Sequence, residues 1–449
     1  MRGRPFALAV AVMGACLPGR AAEPLPVRAT LVAQSADAET PSRTRGAREF
    51  RPVLRFGVDD VMAEVAAWPD AEVAEQGLSL RASPYLTWQP ARGWELRLGA
   101  MLGADRQSGG TLDLERSKVL PGETYLRYRT AGTRLTAGWQ SVVWGRVDEV
   151  ALIDRVSRTD ARRFLLDDLP RRRLPVPALR WEQTMDDYKL DALALLGFEG
   201  AELPALGGVW SPIDRSAGRI IGVAPDPLTA PLIQAATVRR DDSGQGGAGL
   251  RLTREGDIGW GLTVARTRQS LPGFVADSTA LTLDMVHPYI DFVGLDAAWG
   301  REGFTWRTEF ALSRGQPLNA AADGRLLRAN AVEWAGSVEF YPGDRETRVN
   351  LQFVARHLRV DEKALQLTEY AAVNGEVQTS FDRGRWKAAL RFNLGLNVHD
   401  VYVSPRLSYL GFEPHELYLA LHHFDGDSRT LGGFHDNHEL IVLGLRTRF

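Results

Sequence analysis

The side chains best suited to chemistry in this sequence are arginines. Between Trp144 and Pro177, Arg146, Arg155, Arg158, Arg162, Arg163, Arg171, Arg172 and Arg173 are interleaved with Asp148, Glu149, Asp154, Asp160, Asp167 and Asp168. Guanidinium groups stay charged and grip carboxylates or phosphates through paired hydrogen bonds. Acids facing them across a narrow space would set a transverse field. The segment therefore reads either as a pore constriction that selects by charge or as a solvated surface loop. Thr159 is placed to cap a short helix running to Leu169, which Pro170 would stop.

Other chemistries find less footing. All eight histidines lie from His287 onward, with His415, His422, His423, His435 and His438 close together. Neighbours such as His422 and His423 face opposite ways on a strand, and a metal site needs three or four convergent ligands. They read as loop or interfacial histidines, so neither a metal nor a cofactor is expected. Gly244-Gln-Gly-Gly-Ala-Gly249 has no strand before it and no helix after it, which makes it a loop leading into a strand. No serine sits in a nucleophile elbow, and no enzyme is expected. A net charge of -2 gives no support for a nucleic-acid partner.

The elements that must position the arginines announce themselves by period-two alternation. From Trp386 to Val398 the even positions are Trp386, Ala388, Leu390, Phe392, Leu394, Leu396 and Val398, and Lys387, Arg391, Asn393 and Asn397 fall between them. Such a strand has a dry face and a wet one. Similar runs near 50–62, 77–89, 93–105, 121–130, 133–144, 177–185, 188–198, 246–254 and 257–267 make nine strands. Those near 287–299, 303–313, 328–341, 346–358, 369–381, 385–398, 401–411, 415–425 and 438–449 make nine more. Many reach the roughly 9–11 residues that a tilted membrane-crossing strand needs.

Links between the strands alternate in length. Pro90 to Gly93, Ala131-Gly132, Asp186-Asp187, Glu255-Gly256, Arg301-Glu302, Pro342 to Asp344, Asp382 to Gly384 and Glu413-Pro414 are tight. Stretches such as 63–76, 106–120, 145–176, 199–245, 268–286, 314–327 and 426–437 are long. Short turns on one rim and long loops on the other are the pattern of an outer-membrane barrel, with the short turns periplasmic. Trp88, Trp94, Trp181, Trp260, Trp306, Tyr341 and Trp386 fit aromatic girdles at the two membrane interfaces. The expected fold is thus all-β, a transmembrane antiparallel barrel of about eighteen strands over residues 49–449.

Residues 1–22 read as a secretory signal, with Arg2 and Arg4 ahead of the apolar run Phe6 to Leu17. Cleavage after Ala21 or after Ala22 both fit. Cys16, the single cysteine, lies inside that segment, and residues 23–48 read as a mobile periplasmic leader. The last strand ends on Phe449, with Leu443 and Leu445 outward and Arg446 and Arg448 inward. This ending is similar to the signal read by the barrel-assembly machinery of Gram-negative bacteria. That machinery and the lipid and lipopolysaccharide of the bacterial outer membrane are the expected partners.

Orienting each strand by its apolar face turns Arg97, Arg127, Arg129, Arg134, Arg180, Arg251, Arg307, Arg348, Arg356, Arg391 and Arg446 into the lumen. They would favour anionic solutes, or they pair with acids such as Glu95, Glu182, Glu309 and Glu416 and merely fill a polar interior.

The stretch Gly138-Trp-Gln140-Ser-Val-Val143-Trp144-Gly145, then Asp154-Arg155 and Pro175-Val176-Pro177-Ala-Leu179, resembles a family of uncharacterised proteobacterial outer-membrane barrels. In that family a Gly-x-Gln-x-Val-x-Trp-Gly strand precedes a charged inward loop and a Pro-x-Pro re-entry. The usual Asn-Pro-x-Asp is replaced here by the run Asp154 to Asp160. The arginine-lined lumen and the strand number are also similar to alginate-export porins. The leading expectation is a porin-like channel for small or polymeric anionic solutes. The others are a plugged barrel whose extracellular loops bind a partner or surface ligand, and an outer-membrane hydrolase.

Overall fold

The computed structural model describes residues 50–448, apart from 151, 164, 165, 228 and 344. The expected signal segment, the leader and Phe449 lie outside the described residues.

Eighteen strands cross the wall of one barrel. The first nine are β1 (Val53–Ala67), β2 (Gln76–Gln89), β3 (Trp94–Ser108), β4 (in two pieces, Leu114–Pro121 and Thr124–Arg129), β5 (Thr133–Gln140), β6 (Val176–Met185), β7 (Tyr188–Leu195), β8 (Ala248–Arg254) and β9 (Ile258–Arg268). The second nine are β10 (Tyr289–Arg301), β11 (Phe304–Asn319), β12 (Leu326–Phe340), β13 (Thr347–Arg359), β14 (Glu369–Phe381), β15 (Trp386–Gly395), β16 (Asp400–Phe412), β17 (His415–Gly426) and β18 (Leu440–Arg448). Each pairs antiparallel with its sequence neighbours, and β1 pairs with β18 from Asp60↔Arg448 to Ala67↔Ile441, which closes the sheet. Closure leaves no edge of unpaired backbone groups, the condition for a sheet to sit in hydrocarbon.

Alternation sorts the side chains as expected. Leu262, Leu295, Phe310 and Trp334 are successive register partners across β9 to β12, all exposed on the outer wall. Between them in sequence, Thr263, Asp296, Glu309 and Ala335 are buried on the inner side. No helix among the described residues is long and apolar enough to cross a membrane.

The links on one rim are turns of two to six residues, whereas those on the other run from four residues (396–399) to 52 (196–247), so 109–113, 320–325 and 396–399 are no longer than turns, and several strands run past their expected ends. β1 continues to Ala67 and β11 to Asn319, and most of the expected 106–120 link is strand. The seven aromatics expected at two girdles all lie in or within five residues of a short turn, hence on one rim. Ring pairs such as Trp94–Tyr128 at 4.8 Å and Trp386–Tyr409 at 4.8 Å link neighbours along it.

Candidate functional site

The 141–175 link turns into the lumen and packs a second core there. Val142, Trp144, Val147, Leu152, Ile153 and Val156 are buried against Ala178, Leu193, Phe292, Ala311, Ala335, Val354 and Ala372, inward residues of β6, β7 and β10 to β14. Trp144 is fully buried. Its indole N–H donates to Asp191 at 2.9 Å, and Arg180 grips the same carboxylate at 2.5 and 2.9 Å. The ring lies against Gly249 of β8, where a Cβ would come within 2.7 Å of it, so this wall position must be glycine.

Glu309, fully buried on β11, holds the segment by its main chain. One carboxylate oxygen accepts the N–H groups of Arg146 at 2.5 Å and Val147 at 2.9 Å, the other those of Leu152 and Ile153, both at 3.1 Å. One of the two readings of the lumen set Glu309 among the acids that pair with its arginines. Instead its full acceptor capacity goes to four loop donors, a geometry that fixes the loop's path.

Side chains of the segment then fasten it around the circumference. Arg146 pairs with Asp296 at 2.7 Å and Glu255 at 3.3 Å, and Arg155 pairs with Glu333. Asp148 lies 3.5 Å from Arg307 and 3.6 Å from Arg348, and Glu149 takes Arg391 at 2.9 Å. On the far wall Arg163 pairs with Glu64, Asp167 with Arg81 at 2.7 Å, and Arg171 with Asp60 at 3.4 Å. Within the segment, Arg162 grips Asp160 at 2.6 Å and Arg173 grips Asp154 at 2.5 Å. Burial alone would raise the pKa of Asp167, but Arg81, Arg163 and Arg171 outweigh it and hold the carboxyl well below the usual range. Among the described residues the Arg172 guanidinium donates to the Glu149 carbonyl alone, at 3.3 Å. Burial and then the like charge of Arg391 push its guanidinium down to about 10.

The expected helix between Thr159 and Leu169 is absent among the described residues. Arg158–Thr159 pairs instead with Arg173–Leu174, and Pro170 opens a 3-10 turn, Leu169–Arg172, rather than ending a helix. Thr159 spends its main chain on that pairing and on the 196–247 link, whose Glu202 N–H it accepts at 2.9 Å. Glu202, which sequence reasoning passed over, is the brace between the two links. It takes Arg116 at 2.6 Å and Lys118 at 2.5 Å from the wall and Arg158 at 3.3 Å from the inward segment. No local pattern marks it, because its partners lie 44 to 86 residues away.

Most lumen arginines are spoken for. Arg97 pairs with Asp59 at 2.5 Å, Arg127 with Glu95 at 3.1 Å, Arg134 with Glu182 at 3.3 Å and Arg251 with Asp296 at 2.6 Å. Arg348 and Arg307 share Glu339 at 2.8 and 3.4 Å, and Arg446 reaches Asp60 at 3.2 Å. Arg129 is exposed at the short-turn rim. Arg356 is exposed too, but into a cavity on the long-loop side of the inward segment, with no hydrogen bond or ion pair among the described residues. His422 is buried inward on Tyr402, whereas His423 is exposed beside Glu439. No cluster of three metal-ligating side chains occurs among the described residues.

A closed antiparallel barrel with an apolar outer wall, short turns on one rim and a long link folded inward is an outer-membrane β-barrel of porin-like build. The chain belongs to the DUF1302 family, described as a protein of unknown function, whose model matches residues 60–397. No curated protein matches it. Among solved structures it is similar to OccK5 (OpdH) of Pseudomonas aeruginosa, at 10% identity and a TM-score of 0.48 over 88% of this chain and 97% of that one. It is also similar to OmpT of Vibrio cholerae, at 9% identity and a TM-score of 0.42 over 90% and 99% of the two chains.

Proposed function

We propose that the protein is a passive outer-membrane channel whose lumen favours anionic solutes, with no catalytic step. The observation that carries this reading is the cavity of about 740 Å³ above the inward segment. Its lining includes Arg155, Arg158, Arg172, Arg173, Arg268, Arg356, Arg391 and Arg429 against Glu149, Asp154, Glu333 and Asp400. Arg155, Arg158, Arg173, Arg391 and Arg429 are paired with acids, so the positive excess rests on Arg172, Arg268 and Arg356, in a recess whose protein walls focus the field. Arg356 offers its guanidinium to the cavity, and Arg268 lies over Tyr289 at 4.9 Å with no carboxylate partner among the described residues. The paired arginines nearer the short-turn rim contribute structure rather than selectivity on this reading. The segment 145–176 then serves as the constriction. Small anions and anionic polymers both fit the charge.

One observation favours a second reading, a plugged barrel that binds through its long links: the inward segment is fastened to walls on both sides of the lumen. Planar-bilayer recording of the purified, folded protein separates the two. Stepwise conductance with a reversal potential set by the anion supports the channel, and the absence of current overturns it.

A further inference from the structure

The outer wall carries a charged row that neither the lumen nor the barrel closure needs. Arg266, Asp291, Arg314, Asn330 and Arg359 are successive register partners on β9, β10, β11, β12 and β13. All five are exposed, and their parity on each strand is that of the lipid-facing residues. The row lies at the long-loop end, two residues short of where β9 ends at Arg268. Toward the membrane centre the next outward row is Val264, Val293, Leu312 and Val332 on β9 to β12, continued on β13 by His357, which pairs with Glu369 at 3.2 Å, and the row after it is Leu262, Leu295, Phe310 and Trp334.

A charged row at the border of an apolar wall costs nothing if water covers it, so its mere presence is not the argument. Two further facts are. Arg266 is paired with Asp291 at 3.0 Å, yet Arg314 and Arg359 have no hydrogen bond or ion pair among the described residues. This face also forms a concavity of about 790 Å³, lined by the apolar side chains of the row below and rimmed by Arg266, Asp291, Arg314 and Asn330. Charge at the rim and an apolar trough beneath it match an amphiphile with an anionic head. The opposite rim, by contrast, carries the aromatic girdle, so the two ends of the wall are built for different surroundings.

We propose that this face docks a phosphorylated, multiply acylated glycolipid of the outer leaflet. Arg314 and Arg359 hold the phosphate, since guanidinium groups bind phosphate through paired hydrogen bonds. The acyl chains lie along Val293, Leu312 and Val332. The row spans five strands, wide enough to meet several chains of one lipid. The proposal is independent of whether the lumen conducts.

The test is native mass spectrometry of the full chain refolded in detergent, free of co-purified lipid. It is titrated with bis-phosphorylated lipid A, with its dephosphorylated form, and with phosphatidylglycerol. The expected result is retention of the bis-phosphorylated lipid about tenfold more tightly than either of the others, as charge-assisted recognition of phosphate requires. The double variant R314Q/R359Q should lose that preference while keeping its heat-modifiable migration, and R301Q, on the opposite rim, should keep it. Equal binding of the dephosphorylated form or of phosphatidylglycerol overturns the proposal. So does wild-type affinity in R314Q/R359Q, or loss of affinity in R301Q. Self-association abolished by R314Q/R359Q, with no lipid retained, overturns it in favour of a second copy of the chain as the occupant.

Discussion

Gly145 and Glu309 share a space too small for a side chain: a Cβ on Gly145 would stand 2.7 Å from the Glu309 carboxylate oxygen that receives the Arg146 and Val147 N–H groups. Gly145 also has φ +114, a conformation costly for any other residue. Gly145→Val should therefore release the turn into the lumen without touching the wall. The expected readout is faster proteolysis within 145–175, with heat-modifiable migration retained. Unchanged proteolysis would show that the turn tolerates a Cβ.

Removing the acceptor is the sharper version. Glu309→Ala strands four buried N–H groups, at about 1–3 kcal/mol each, so the segment should leave its bed. Conductance in a bilayer should rise as the lumen opens. A conductance equal to wild type would mean that Glu309 does not govern the width of the path.

Trp144→Ala empties the inner core and should cost about 3–5 kcal/mol of local stability. Hydrogen exchange of the segment measures it. Gly249→Val, which pushes a side chain into the same ring, should give a similar loss from the wall side. If the two variants differ greatly, the contact between them is not the main support.

Arg356 tests selectivity without disturbing an ion pair. Arg356→Gln should shift the reversal potential under a salt gradient toward zero anion preference and leave stability within about 0.5 kcal/mol. Arg251→Gln, which removes one of two guanidinium partners of a buried Asp296 bonded at 2.6 and 3.0 Å and leaves it Arg146 at 2.7 Å, should instead lower stability. Equal effects of the two on selectivity would remove the distinction between free and paired arginines.

A pH response is expected at the loop 427–439. His438 contacts His435 at 2.8 Å and lies 6.1 Å from the Trp210 ring of the 196–247 link. Burial chiefly, with Arg219, pushes its pKa down to about 4 against the opposing pull of Asp214 and Asp436. The folded state thus prefers neutral imidazole, and the unfolded loop takes up the proton first. Its stabilisation is complete above the ordinary histidine value and is lost as pH falls from there through about 4. Hydrogen exchange of 427–439 should rise over that window in the wild type. In His438→Gln the rise should be reduced, leaving the part due to His435, and an undiminished rise would exonerate His438.

The wall was readable because lipid and water sort side chains with the period of the strand. Leu390 and Leu394 face out while Arg391 turns to Glu149. Strand ends were not, for a local reason in each case. In β11 the register shifts between Arg314 and Gln316, so Leu318 turns inward and the alternation loses its phase. In the first piece of β4 the outward positions include Glu115 and Ser117, which give no apolar face to recognise. The charged segment was visible as composition, and its inward course was one of two readings. Its fastening was not visible, since the Arg146 main chain and Glu309 lie 163 residues apart.

That separation has a consequence for biogenesis. Glu149 meets Arg391 across 242 residues, and the inner core draws on strands from β6 to β14. The segment has no bed until most of the sheet exists. Its seating therefore depends on the pairing of those strands. Contacts of such long sequence separation form late and slowly, so the segment is expected to seat after the wall from β6 to β14 has paired, leaving a sealed interior vacant for an interval.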